Sequence, residues 1–267
     1  MSKDELLSYN DVASSSQINL YQRKVGSLMY AAVITRPDIA FAVSRLARFL
    51  TNPGPLHQAA ADRTLLYLKR YRDLGLQLGG GDEYLVASDA SFADNTADRK
   101  SSQGYAMKLF GGLVGWRANK QATVTTSTTE AELMALSQAA REGIYIRRML
   151  EELDVKLDHD NVIIQCDNQQ TLCLVTAEIG KLSTKLKHVD VQNHWLHQEY
   201  KQGHITIRYV ESKSMIADGL TKALSLDSHR RFLDQMNLID IRDRLLDRLQ
   251  DRQTAVTFEL PEPMNID

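Results

Sequence analysis

The stretch Glu83-Tyr84-Leu85-Val86-Ala87-Ser88-Asp89-Ala90-Ser91-Phe92-Ala93 decides how the rest of the chain is read. Its β-favouring run Tyr84-Leu85-Val86 carries the carboxylate of Asp89 to the point where a strand should end. The small residues Ser88, Ala90 and Ser91 leave room beside it for a large charged ligand. An aspartate at a strand end is, by itself, most often a turn or cap residue. Three later acids change that balance, because Glu132, Asp167 and Asp218 each stand at the edge of an expected helix or strand. Four acids so placed point to a metal site.

The chain before this stretch has a helical pattern. Val25, Leu28, Met29 and Ala32 mark one apolar face, and Pro37 opens a second helix carrying Phe41, Leu46 and Phe49. The break Asn52-Pro53-Gly54-Pro55 precedes a third helix with Leu65, Leu66 and Leu68. Residues 21–78 therefore form a small all-helical unit, and residues 1–20, polar and serine-rich without periodicity, read as a flexible leader. Gly79-Gly80-Gly81-Asp82 reads as the joint that follows.

After the joint the periodicity changes. Leu85 to Ser88 reads as a strand, followed by a polar loop with Arg99 and Lys100, then a hairpin of Gly104 to Phe110 and Leu113 to Trp116 about Gly111-Gly112. A long amphipathic helix follows, with Leu133, Leu136, Ala140 and Ile144 on one stripe. Val162 to Cys166 reads as a buried strand, Gln169 to Ala177 and His188 to Tyr200 as helices, Ile205 to Val210 as a last strand, and Met215 to Leu224 as a last core helix. Residues 83–226 thus predict an α/β domain whose sheet is antiparallel first and parallel afterwards. Residues 227–252, where Asp and Arg alternate around Leu245, Leu246 and Leu249, read as a helical extension that is solvated or self-associating. Residues 253–267 read as a disordered tail.

Local rules separate the acids from their neighbours. Ser127-x-x-Glu130 fits a capping box, which accounts for Glu130, whereas Glu132 borders the apolar stripe and can point towards Asp89. A carboxylate held at that boundary is costly unless a cation compensates it. Asp167 could cap the helix that follows it, worth about 1 kcal/mol, but Asn168 can take that role instead. Asp218 falls in the first turn of its helix, where an acid also suits the macrodipole.

Composition narrows the class. The chain has 267 residues, 43% of them hydrophobic, which is enough for a normal core. No apolar run approaches a membrane span, and Met1 to Asp11 lacks the apolar core of a signal peptide, so an intracellular protein with no membrane association is expected. Cys166 and Cys173 are expected to pack as small apolar residues in a reducing compartment rather than to form a disulfide. A net charge of −2 gives no whole-molecule attraction for nucleic acid, so a polyanion would need local basic patches or bound cations.

Six blocks carry a family resemblance: SDASFAD (88–94), RKSSQGY (99–105), WRANKQATVTTSTTEAELMAL (116–136), CDNQQTLCL (166–174), LKHVDVQNHWLHQEY (186–200) and IRYVESKSMIADGLTKAL (207–224). In order and spacing they resemble the ribonuclease H domain of copia-type (pseudoviral) retrotransposon Pol polyproteins, a specific match over about 140 residues. Residues 21–71 resemble the connection segment of the reverse transcriptase that precedes this domain. The resemblance implies a ribonuclease H-like five-stranded mixed sheet flanked by helices, with metal-binding and catalytic acids at Asp89, Glu132, Asp167 and Asp218. It departs from the pattern at Ser91, where many relatives have an acid, at Asn119, where lysine is common, and at Glu211 to Ser214, which lacks the histidine of cellular ribonucleases H. The polymerase's paired aspartates occur nowhere in this sequence.

A four-carboxylate site without cysteine or clustered histidine favours Mg²⁺, with Mn²⁺ as a substitute. The implied chemistry is two-metal hydrolysis of the RNA strand of an RNA·DNA hybrid, leaving a 5′-phosphate and a 3′-hydroxyl, with two ions about 4 Å apart. Asp89 would bridge them, Glu132 and Asp218 would flank one each, and Asp167 would complete the site. Phosphate contacts are expected from Arg99, Lys100, Arg117, Lys120, Lys185 and Lys187, and 2′-hydroxyl contacts from Asn168 or backbone amides. Trp116 could stack on a base or sugar but more often such a residue is core, and His188, His194 and His197 lack the partners of a standard zinc spacing. The polymerase part of a reverse transcriptase is the implied partner, in a cytoplasmic virus-like particle or the nucleus. The rival readings are a catalytically silent binding or assembly module with the same fold, and an integrase-like enzyme, which needs only three acids.

Overall fold

The first helix is set by a capping box that overrides the polar composition around it. The computed structural model describes residues 6–81, 83–177 and 187–247. Ser14 Oγ accepts from Gln17 N at 3.3 Å and Gln17 Oε1 accepts from Ser14 N at 2.8 Å, which starts α1 (Ser15–Ile34) inside the expected leader. The segment before it is also tied down, since Asn52 Oδ1 accepts from Ala13 N and Asn52 Nδ2 donates to the carbonyls of Tyr9 and Asp11. The flexible leader expected over residues 1–20 is corrected for residues 9–20, which hydrogen bonding, unreported by composition, ties down, while residues 1–5 lie outside the described residues.

α1, α2 (Ala40–Leu46) and α3 (Pro55–Arg70) bury Tyr21, Val25, Leu28, Ala32, Val43, Leu46 and Ala61 against one another. At their junction Arg36 and Asp38 form a buried ion pair at 2.7 Å, closed by Tyr67 Oη donating to Asp38 Oδ2 and Arg36 Nη1 donating to Tyr71 O. β1 (Leu74–Leu76) then leads to Gly79 and Gly80, both at positive φ, where the chain turns into the sheet.

The main sheet is built from β2 (Tyr84–Ser91), β3 (Ser102–Leu109) and β4 (Gly112–Lys120), which are antiparallel neighbours, and β5 (Val162–Cys166) and β6 (Ile205–Tyr209), which add in parallel. The spatial order is β4-β3-β2-β5-β6. This is the five-stranded mixed sheet flanked by helices that the resemblance implies. Strand alternation gives each face its own core. On one face Tyr84, Val86, Ile164 and Ile205 meet Leu133, Leu136, Ala140 and Ile144 of α4 (Thr128–Glu152) and Leu196 of α6 (Lys187–Lys201), beside α5 (Gln169–Thr176). On the other, Ala87, Ala106 and Leu113 meet Ala40 of α2, Leu220 of α7 (Asp218–Thr221) and Phe232 of α8 (Leu226–Gln235). The helical unit thus shares a core with the sheet, and Trp116 belongs to it, donating Nε1–H to Ala32 O at 2.7 Å.

Two further expectations are corrected. The last core helix covers only Asp218–Thr221, because Lys222 is extended and its N–H closes the turn on Asp218 O. The helical extension expected over residues 227–252 is interrupted within its described part: α8 ends at Gln235, Asn237 turns through positive φ, β7 (Leu238–Asp240) pairs antiparallel with β1, and helix resumes over residues 242–247. Leu238 is buried in that pairing, which the Asp/Arg alternation around it conceals. The tail at 253–267 lies outside the described residues. Among the described residues no helix is long and apolar enough to cross a membrane.

Candidate metal centre

Each acid reaches the centre by a different local device. Asp89 lies near the end of β2, fully buried, on the same strand face as Ala87. Its cross-strand neighbour is Gly104 of β3, and a Cβ built there would stand 2.7 Å from Leu220 Cβ and 3.2 Å from Thr221 Cγ2. Glycine at this position lets α7 lie directly on the strand pair beside Asp89. Thr221 Oγ1 donates to Asp89 Oδ2, and Lys222 Nζ lies 3.3 Å from Asp89 Oδ1.

Glu132 enters from the first turns of α4, whose Ala131 and Ala135 pack on Ala90 and bring the helix close to β2. Ala90 supplies a backbone hydrogen bond to its carboxylate, but Glu132 Oε2 is buried without a hydrogen-bond partner. Glu130 is accounted for as expected in kind: Ser127 Oγ accepts from its N–H, while its carboxylate accepts from Thr126 N and Thr126 Oγ1. Asp167 directly follows β5. It is released from capping because Asn168 is the N-cap of α5, accepting from Thr171 N at 3.0 Å, and Ser212 Oγ donates to Asp167 Oδ2 at 2.6 Å.

Ligand oxygens of Asp89, Glu132 and Asp167 all lie within 4.8 Å of one another. Asp218 is outside that group: its Oδ1 is 2.8 Å from Lys222 Nζ, so the fourth acid joins the other three through an ammonium bridge to Asp89. Burial, and then the neighbouring carboxylates, push the Glu132 carboxyl well above its usual range. Burial does the same to Asp89, with Asp218 and Asp167 adding to it and Lys222 and Thr221 opposing. An all-oxygen donor set, buried at Asp89 and Glu132 and half-buried at Asp167, with one orphaned carboxylate oxygen and a shortage of positive charge, fits a hard divalent cation.

The basic residues expected to hold phosphate are dispersed. Arg99 is exposed, on a loop at positive φ, and Lys100 is half-buried on the same loop. Lys120 is paired with Asp98 at 2.6 Å and Arg117 with Glu142 at 3.9 Å. Lys187 is the first residue of α6, and Lys185 lies outside the described residues. Among the described residues no histidine joins a metal-ligating group, and His197 is buried with Nδ1 on Val175 O. Cys166 is buried and free, but Cys173, expected to pack, is exposed on α5.

Sequence reasoning passed over Thr221, Lys222, Ser212 and Gly104. One signal was available, the Asp218-x-x-x-Lys222 spacing that places opposite charges one turn apart.

No protein-family model matches the chain. Over 205 residues it is 37% identical to the retrovirus-related Pol polyprotein of the tobacco (Nicotiana tabacum) transposon TNT 1-94, which covers 76% of this chain but only 15% of the polyprotein. It is also 43% identical over 128 residues to secreted RxLR effector protein 161 of Plasmopara viticola, covering 47% of this chain and 90% of that protein. Among solved structures, the ribonuclease H1 of Halobacterium salinarum aligns with 57% of this chain and 98% of its own at 16% identity and a TM-score of 0.36. The sequence shared with the tobacco polyprotein over three quarters of this chain shows the family: the chain belongs to the copia-type retrotransposon Pol family.

Proposed function

We propose that the chain is an endoribonuclease that cuts the RNA strand of RNA·DNA hybrids, acting as the C-terminal part of a retrotransposon reverse transcriptase. The observation that carries this reading is the convergence of Asp89, Glu132 and Asp167 at one end of the sheet, with Glu132 Oε2 lacking a partner. These three would hold the metal, with Asp218 at its margin. Mg²⁺ or Mn²⁺ bound there would supply the charge that lowers the pKa of an attacking water and stabilises the departing oxygen.

The chain's own groups supply alignment. Thr221 fixes one oxygen of Asp89, Ser212 fixes one oxygen of Asp167, and the Ala90 amide holds Glu132, so the carboxylates are aimed before substrate arrives. Arg99, Lys100, Arg117, Lys120, Lys185 and Lys187 are the candidate phosphate contacts, and Asn168 or nearby amides the candidate readers of the 2′-hydroxyl. The polymerase part of the same polyprotein would be the partner, in a virus-like particle or the nucleus.

The test is incubation with end-labelled RNA·DNA hybrid and Mg²⁺ or Mn²⁺, beside single-stranded RNA and duplex DNA. Cleavage of the hybrid alone, giving 5′-phosphate and 3′-hydroxyl ends and lost in Asp89→Asn, is the expected result. Hybrid binding without cleavage by the unaltered protein would favour the silent module instead. That second reading draws on one observation, that a relative aligned over 90% of its length is named as an effector protein.

A further inference from the structure

The metal-centre reading leaves one charge without a role. Lys222 follows α7, and its ammonium touches two acids distant in sequence, Asp218 Oδ1 at 2.8 Å and Asp89 Oδ1 at 3.3 Å. The first contact is an ordinary pair one helical turn apart. The second is not, because Asp89 is fully buried and its side chain comes from the central strand of the sheet. Thr221 takes one oxygen of Asp89 and Lys222 the other, so both oxygens are engaged by consecutive residues of one segment.

A cation held by Asp89, Glu132 and Asp167 would bring a second positive charge against the carboxylate on which the ammonium rests. Both positive charges cannot sit against Asp89 Oδ1 at ligand distance, since their repulsion in a poorly solvated site would be large. The lysine has somewhere to go: 38% of its side chain is exposed, against 1% for Asp89, and its long flexible stem can carry the ammonium to water.

We propose that Lys222 is the resident counter-ion of the metal-free centre, neutralising Asp89 and Asp218, and that a divalent cation taking Asp89 as a ligand requires its ammonium to withdraw. The inference rests on the metal-centre reading. It assigns Lys222 two opposed effects: the ammonium stabilises the folded protein without metal, and it competes with the metal for the Asp89 carboxylate. Lys222→Met, which keeps the stem and removes the charge, separates them. Lys222→Arg keeps the charge and adds a forked donor that holds carboxylates more firmly.

The experiment is a Mn²⁺ titration of the whole chain, followed by electron paramagnetic resonance of the free ion, with thermal unfolding in chelator and in Mg²⁺ as a second readout. Relative to the unaltered protein, Lys222→Met should bind Mn²⁺ about tenfold more tightly, unfold at lower temperature in chelator and gain more from added Mg²⁺. Lys222→Arg should fold and bind Mn²⁺ more weakly. Unaltered protein that binds no Mn²⁺ would overturn the metal-centre reading itself. Unaltered protein that binds, with Lys222→Met equal or weaker, would overturn the counter-ion inference alone. Should Lys222→Met fail to fold, Lys222→Arg decides, and affinity equal to or above that of the unaltered protein counts against the inference.

Discussion

Gly104 stands directly across the β2–β3 ladder from Asp89, and the room its missing side chain leaves is filled by Leu220 and Thr221. Asp89 and the segment carrying Thr221, Lys222 and Asp218 are thereby held together by an absence. Gly104→Val should push α7 off the sheet, since a Cβ would also lie 3.0 Å from Arg117 O, a backbone atom with little freedom to yield. A loss of about 1–3 kcal/mol is expected, together with weaker divalent binding. Urea denaturation with and without Mg²⁺ measures both, and unchanged stability would show that the segment is not pinned there.

The ion pair of Arg36 and Asp38 should be the most sensitive point of the helical unit. Both side chains are buried, and Tyr67 and Tyr71 O complete the network. Asp38→Ala leaves the guanidinium without its counter-charge and should cost about 3–5 kcal/mol. The double replacement Arg36→Met with Asp38→Leu should recover most of it, and a double-mutant cycle by denaturation checks the pair.

Ser212 anchors Asp167 by donating Oγ–H to its Oδ2 at 2.6 Å. Ser212→Ala should barely change the melting temperature, because the contact is exposed, yet raise severalfold the Mg²⁺ concentration needed for half-maximal hybrid cleavage. Equal Mg²⁺ dependence would leave Ser212 a bystander.

His229 packs edge-on against Tyr67 at 5.7 Å, and burial holds its imidazole below its usual pKa despite the attraction of Asp38, with Arg36 adding to the depression. The folded state therefore binds this proton less readily than the unfolded chain. The stability it contributes is complete above the unfolded value of about 6.5 and is lost as pH falls through the folded one. Melting temperatures measured from pH 7.5 down to 5 should fall more steeply in the unaltered protein than in His229→Gln; parallel curves would contradict this.

Among the basic residues, Arg99 and Lys120 should differ. Lys120 already holds Asp98 at 2.6 Å, whereas Arg99 is exposed on its loop. Arg99→Ala should lower the slope of log affinity against log salt for hybrid by about 0.9, the value of one lost phosphate contact, and Lys120→Ala by less. Fluorescence anisotropy over a salt series measures the two slopes.

Periodicity made most of the architecture legible. The stripe Leu133, Leu136, Ala140, Ile144 and the strand runs around Val86, Ile164 and Ile207 each obey one repeat, and each is buried where that repeat places it. Asp89, Glu132 and Asp167 were legible because local rules assigned the competing roles to Glu130 and Asn168. What was hidden depends on contacts between distant segments. The three-residue strands Leu74–Leu76 and Leu238–Asp240 are too short to show alternation, and each exists because the other is there. Lys222 carries no signal of its second partner in the sequence, since only the folded sheet puts Asp89 within its reach.

That small ribbon has a consequence for how the molecule is completed. One of its strands is translated before any of the four acids and the other after all of them, so the loop it closes contains the entire centre. A polypeptide halted at the end of α8 would possess every carboxylate and still lack the clasp, and proteolysis after Gln235 should loosen a centre to which the severed residues contribute no ligand.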